Sequence, residues 1–154
     1  MSQRSQNRKR ASEKRVPGAF IALPHDVLYS DAYQSISHAA RSLLLEVALQ
    51  YKSDNNGMLL LSTRHLKKRG WRSADVITRK KRELLDAQLI FETVKGHRPN
   101  KASWYAVTWF NLDSNKQYDI GISKAFVKGA YRNVTQKNKT VIPLARKIFG
   151  DIAP

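Results

Sequence analysis

The sequence predicts an α+β domain of three helices followed by a β-hairpin, set between a basic N-terminal arm and a basic C-terminal extension. Three observations predict it. Apolar residues recur every three or four positions from Ala39 to Tyr51, the period of a helix with one buried face. Two further helix signals, each opened by a serine, are separated by Gly70. Two runs of alternating polarity then flank a Gly/Pro loop between Phe91 and Phe110, the pattern of a hairpin. The expected boundaries are an arm at 1–17, a folded domain at 18–111 and an extension at 112–154.

The arm carries Arg4, Arg8, Lys9, Arg10, Lys14 and Arg15 against Glu13 and almost nothing apolar, so it cannot bury enough surface to offset its ordering entropy. It reads as a flexible tail that follows phosphates, or as a solubilising terminus. From Ala19 the composition changes. Phe20 to Pro24 fits a short strand or an extended lead-in, and Pro24 to Ser30 a helical turn. Ser37 is a suitable cap for the first long helix, whose Ala39, Ala40, Leu43, Leu44, Val47, Ala48 and Tyr51 share a face. Asp54-Asn55-Asn56-Gly57 is a turn, because Asn and Gly accept positive φ cheaply.

Met58 to Leu61 is short and apolar, fitting a buried strand. Ser62 caps a second helix over about Thr63 to Arg69, with Leu66 facing the core, and Gly70 breaks it. Ser73 caps a third helix in which Ile77, Leu84 and Leu85 lie near one face, while Asp75 suits the positive end of the helix dipole. Two helices joined by a short Gly-containing turn form a helix-turn-helix. The hairpin that follows places His97, Arg98 and Lys101 at its tip. In the extension, Leu144, Ile148 and Phe149 fit a short helix ended by Gly150. It could dock on the domain, on a partner or on a second copy.

Charge is placed unevenly. Between Arg64 and Arg82 stand nine Lys or Arg against Asp75 alone, whereas Gly18 to Thr63 holds Arg41 and Lys52 against four acids. The whole chain has a formal net charge of +16 over 154 residues, which opposes compaction unless a polyanion offsets it. A concentrated cationic surface is what binding to a phosphate backbone requires. Double-stranded DNA is the expected partner.

The order helix, short strand, helix, Gly turn, helix, hairpin resembles the winged helix-turn-helix domains of phage and plasmid replication initiators and related phage regulators. The resemblance runs from about Phe20 to Trp109. Its most specific parts are Gly70-Trp71-Arg72-Ser73 and Arg82-Glu83-Leu84-Leu85-Asp86-Ala87-Gln88-Leu89-Ile90. It implies a three-helix core with a β-hairpin wing and sequence-specific duplex binding, the third helix lying in the major groove. Carried over position by position, it puts Ser73, Asp75, Thr78, Arg79 and Arg82 on the groove-facing side. Two departures stand out. Gln88 replaces the Gly with which many members leave this helix, which predicts a less sharp exit, and Lys80 and Lys81 replace residues that are often apolar.

The residue chemistry supports the same division of labour. A guanidinium can donate two parallel bonds to guanine O6 and N7, and lysine is the poorer reader but a good phosphate partner. Base reading is therefore expected first from Arg79 and Arg82, with Thr78 against a thymine methyl. Phosphate anchoring is expected from Arg64, Lys67, Lys68, Arg69, Arg72, Lys80 and Lys81, and wing contacts from His97, Arg98 and Lys101. Trp71 reads as a plug between helices rather than a stacking platform, and Trp104, Tyr105, Trp109 and Phe110 as packing residues.

No enzyme is expected. The P-loop pattern is missing, the four histidines are scattered without ligand spacing, and there are no cysteines, so neither a metal nor any other cofactor is anticipated. No apolar run reaches the roughly 18 residues of a membrane span, and a cytoplasmic, nucleoid-associated location in a bacterial host is the expectation. The expected role is replication initiation or its control in a phage or plasmid. A second copy on repeated sites and the replication proteins of the host or element are further candidate partners. A transcriptional regulator, or an RNA-binding or nucleoprotein-assembly factor, would share much of this chemistry.

Overall fold

The computed structural model describes residues 18–135. The basic arm and the helix expected near Leu144 to Phe149 lie outside them. The described chain is α+β. Its elements are α1 (His25–Tyr29), α2 (Asp31–Ser35), α3 (His38–Leu49), β1 (Leu59–Leu60), α4 (Thr63–Lys67), α5 (Ala74–Asp86), β2 (Ile90–Val94), β3 (Trp104–Val107), α6 (Ile122–Ala125) and a 3-10 turn (Ala130–Asn133). This order, with its small antiparallel sheet, is compatible with a winged helix-turn-helix.

Helices α3, α4 and α5 begin as their serines dictate. The hydroxyl oxygens of Ser37, Ser62 and Ser73 accept hydrogen bonds from the backbone N–H of Ala40, His65 and Val76, each satisfying a donor that a helix start leaves free. The lead-in from Ala19 is extended, without a strand. Sequence periodicity missed α2, a single turn capped by Ser30, because one turn is too short to show a period.

Helix α3 buries Ala40, Leu43, Leu44, Val47 and Ala48, whereas Ala39 and Tyr51 are only half-buried. Tyr51 stacks on Phe110 with ring centroids 4.3 Å apart. Against this face pack Leu66 from α4, Ile77 and Leu84 from α5, and Leu59 and Tyr105 from the sheet. The strand order is β1-β3-β2, antiparallel throughout, with Leu59 opposite Tyr105 and Ile90 opposite Val107. A bulge between Glu92 and Val94 strengthens the local twist just before the hairpin loop.

Both connections of α5 are fixed by the same backbone device. At Gly70, with φ +92°, the N–H of Trp71 donates to the carbonyl of Leu66 and that of Gly70 to Lys67. At Gln88, with φ +55°, the N–H of Leu89 donates to Leu84 and that of Gln88 to Leu85. Each is a left-handed helix exit with two carbonyls satisfied and an apolar pair alongside, Leu66 with Trp71 and Leu84 with Leu89. The less sharp exit expected from Gln88 is therefore corrected. Buried Leu84 and Leu89 enforce the turn, and Gln88 adopts the left-handed conformation despite its Cβ.

Beyond residue 111 the chain also packs on this core, through Tyr131 and Val134. Tyr131 is buried, and its hydroxyl donates to Asp26 at 2.6 Å. Arg132 pairs with the same carboxylate at 2.7 Å, and these two partners hold the Asp26 carboxyl below its ordinary range. The turn at Asn56-Gly57 is the second anchor. The Asn56 amide, fully buried, donates to the carbonyls of Val107 and Asn111 and accepts from the Val107 N–H at 2.8 Å. Gly57, φ +120°, lies so close to Tyr118 that a Cβ would overlap its hydroxyl.

Candidate nucleic-acid interface

Helix α5 has two unlike sides. Its inner stripe is Ile77, Lys80, Lys81 and Leu84, at the i, i+3, i+4, i+7 spacing of a core-facing surface. Its outer side carries Asp75, Thr78, Arg79 and Arg82, all exposed, as is the capping Ser73. These five are the residues expected to face a groove; all are exposed, and Asp75, Thr78, Arg79 and Arg82 share one side by the helical period.

Lys80 and Lys81 do not join them. The Lys80 ammonium contacts Glu83 Oε1 at 2.5 Å, with its side chain only 18% exposed. The Lys81 ammonium sits 5.8 Å from the centre of the Tyr105 ring. Their positions in the helical period place both stems along apolar surface, with the charged ends brought to partners at the rim of the core. The phosphate-anchoring role expected of this pair does not fit that geometry.

Glu83 is the residue that sequence reasoning missed. Its Oε2 accepts from the Ser37 N–H at 3.0 Å and the Ser37 hydroxyl at 2.8 Å, joining α5 to the first turn of α3. Burial pushes the carboxyl up, but the hydrogen bonds from Lys80 and Ser37 outweigh it and hold the group at about 2. No local signal reveals this contact, since Ser37 lies 46 residues away.

In α4 and the turn before α5, the chain presents Arg64, Lys67, Lys68, Arg69 and Arg72 to solvent. Arg69 is held by Glu46 at 2.8 Å, which leaves Arg64, Lys67, Lys68 and Arg72 as the cations of α4 and the turn with no ion pair among the described residues. Arg79 pairs with Asp75 at 2.9 Å on the exposed surface. The Thr78 hydroxyl donates back to the Ala74 carbonyl at 2.9 Å, so its polar end is already occupied.

The hairpin loop is closed by paired backbone bonds between His97 and Lys101, 2.9 and 3.0 Å, and by the Gly96 N–H donating to the Ser103 hydroxyl. His97, Arg98 and Lys101 are all exposed at the tip. The pairing of Leu60 with Trp104 puts the start of α4 at the same end of the sheet as this tip. Between them lies a groove of about 580 Å³ lined by Ser62, Thr63, Arg64 and the loop from Gly96 to Ser103. Arg64 thus shares one concave surface with the three loop residues.

Trp71, Tyr105, Trp109 and Phe110 belong to the core or pack against it. Trp71 is half-buried against the core beside Leu66, Tyr105 and Trp109 are buried, and Trp104 and Phe110 are half-buried. Among the described residues, no group of three or more His, Cys, Asp or Glu could hold a metal ion, and no helix is long and apolar enough to cross a membrane. No protein-family model, curated protein or solved structure matches this chain.

Proposed function

We propose that this chain is a double-stranded DNA-binding protein of winged helix-turn-helix type, with α5 as the helix that enters the major groove. One observation carries the reading: Thr78, Arg79 and Arg82 share the exposed side of a Ser73-capped helix, and the helix and turn just before it expose Arg64, Lys67, Lys68 and Arg72, without ion pairs among the described residues. An α-helix fits the width of the major groove, and the side chains at its exposed face reach base edges there. Arg64, Lys67, Lys68 and Arg72 supply sequence-independent attraction, and Arg98 and Lys101 extend it from the wing to a flanking stretch of duplex. The +16 net charge is then neutralised by the bound polyanion.

About six phosphate contacts from these residues give a salt dependence near the fifth power and an affinity loss of roughly a thousandfold between 50 and 200 mM salt. Selection of bound duplexes from a random library tests the proposal. The expected result is a defined preferred sequence. In Arg79→Ala/Arg82→Ala the preference disappears while weak, salt-sensitive binding persists. Equal affinity of the wild-type chain for single-stranded RNA and duplex DNA would overturn it.

The resemblance to replication initiators and related phage regulators extends the proposal to replication initiation or its control in a phage or plasmid. Repeated sites near an origin, and loss of replication in the double variant, are the expected outcomes. A single pseudo-palindromic promoter site with unchanged replication would assign the same domain to transcription.

A further inference from the structure

We propose that Asp75 is a specificity-determining positioning residue: it holds the Arg79 guanidinium so that its free end is presented to a guanine, and its charge penalises every register in which that guanine is missing. The inference rests on the DNA-binding reading above and deepens it.

Arg79 donates through Nε to Asp75 Oδ2 at 2.9 Å. A guanidinium has five N–H donors in a rigid plane. Using Nε fixes that plane and leaves the end-on pair of parallel N–H donors, one from each terminal nitrogen, directed away from the carboxylate. Two parallel donors are what O6 and N7 of guanine accept. Arg82, one turn further along the same face, has no side-chain partner among the described residues. Of the two arginines, Arg79 alone is pre-oriented, and pre-orientation reduces the ordering cost of binding.

The pair has little to do for folding. Both side chains are largely exposed, 62% for Arg79 and 75% for Asp75, and an exposed i, i+4 pair adds little to stability. When a duplex displaces water from this surface the same contact strengthens, since the effective dielectric falls. Asp75 has a second effect there. A carboxylate facing a phosphate-lined groove is repelled at every register, and only where Arg79 gains a guanine acceptor pair is that repulsion outweighed. Discrimination then comes from disfavouring wrong sites as much as from favouring the right one.

The test compares wild type, Asp75→Ala, Asp75→Asn, Arg79→Lys and Arg82→Lys, each checked for folding by thermal melting. Random-library selection supplies the base preference, and titration with a non-cognate duplex supplies background affinity. In wild type, one position shows a guanine preference. Arg79→Lys and Asp75→Ala reduce preference at that same position by about tenfold, whereas Arg82→Lys leaves it intact. Asp75→Ala and Asp75→Asn both raise non-cognate affinity, by roughly three- to fivefold. Asp75→Asn retains part of the guanine preference, because its amide oxygen still accepts from Nε. An Asp75→Ala protein that binds duplex with the wild-type preference overturns the inference while leaving the DNA-binding reading standing. A wild-type chain that binds no duplex overturns both.

Discussion

Replacing Glu83 by Gln removes one negative charge from the joint between α5 and α3 while keeping a side chain of the same shape and an oxygen able to accept from Ser37. The Glu83 carboxyl is held at about 2 against an ordinary 4.5, a difference that sets a ceiling of roughly 3 kcal/mol on the contribution of its charge. The side chain is 32% exposed, and solvent screening reduces the expected loss to about 1–2 kcal/mol, or a fall in Tm of roughly 3–8 °C at pH 7. Because the folded-state value is depressed, the stabilisation is complete above the carboxylate's unfolded value and disappears as pH falls toward about 2. Melting curves of wild type and Glu83→Gln, recorded between pH 7 and pH 2.5, should therefore converge as the solution is acidified. A gap that is absent at pH 7, or that stays constant to pH 2.5, refutes the assignment of a charged clamp to Glu83.

Three further outcomes follow from the geometry. Gln88→Gly relieves a left-handed residue that carries a Cβ and should stabilise the domain by about 1 kcal/mol, seen as a Tm increase in calorimetry; an unchanged or lower Tm would show that Gln88 is unstrained. Asn56→Ala leaves the buried Val107 N–H without its acceptor and should cost about 2–4 kcal/mol, read from the midpoint of urea unfolding, whereas a loss below 0.5 kcal/mol or so would place it with ordinary surface changes. The triple change Arg64→Ala, Lys67→Ala, Lys68→Ala should flatten the plot of log affinity against log salt for a bound duplex by about 0.9 per lost phosphate contact, while Lys80→Ala should leave that slope unchanged, since its ammonium is committed to Glu83.

What was legible in the sequence is local. Ser37, Ser62 and Ser73 mark helix starts because a cap is made with residues three positions on. Gly70 marks an exit because the backbone there needs positive φ, and the alternation around Gly96 marks a hairpin. The α+β class followed from these signals. Of the candidate surface, the exposure of Thr78, Arg79 and Arg82 was legible from their place off the Ile77 and Leu84 face, and that of Asp75 from the resemblance. The inward turn of Lys80 and Lys81 is written in the same period, which sets them in the stripe with Ile77 and Leu84, but their charge points the other way, toward solvent. Contacts made across long separations were illegible. Asn56 looks like a turn residue yet its side chain secures Val107, 51 positions away. Tyr131 looks like part of a polar tail yet meets Asp26 across 105. Neither partner announces itself in any short window.

The paired left-handed exits at Gly70 and Gln88 have a consequence for how this surface can change. The pose of α5 is dictated by main-chain bonds at its two ends, by apolar couples on its inward side and by the Glu83 contact with Ser37, none of which involves the outward-facing positions 75, 78, 79 and 82. Those four sites can be rewritten, by mutation or by design, without re-aiming the rod that displays them. A lineage built on this frame could acquire a new target through a handful of substitutions while its scaffold stayed the same.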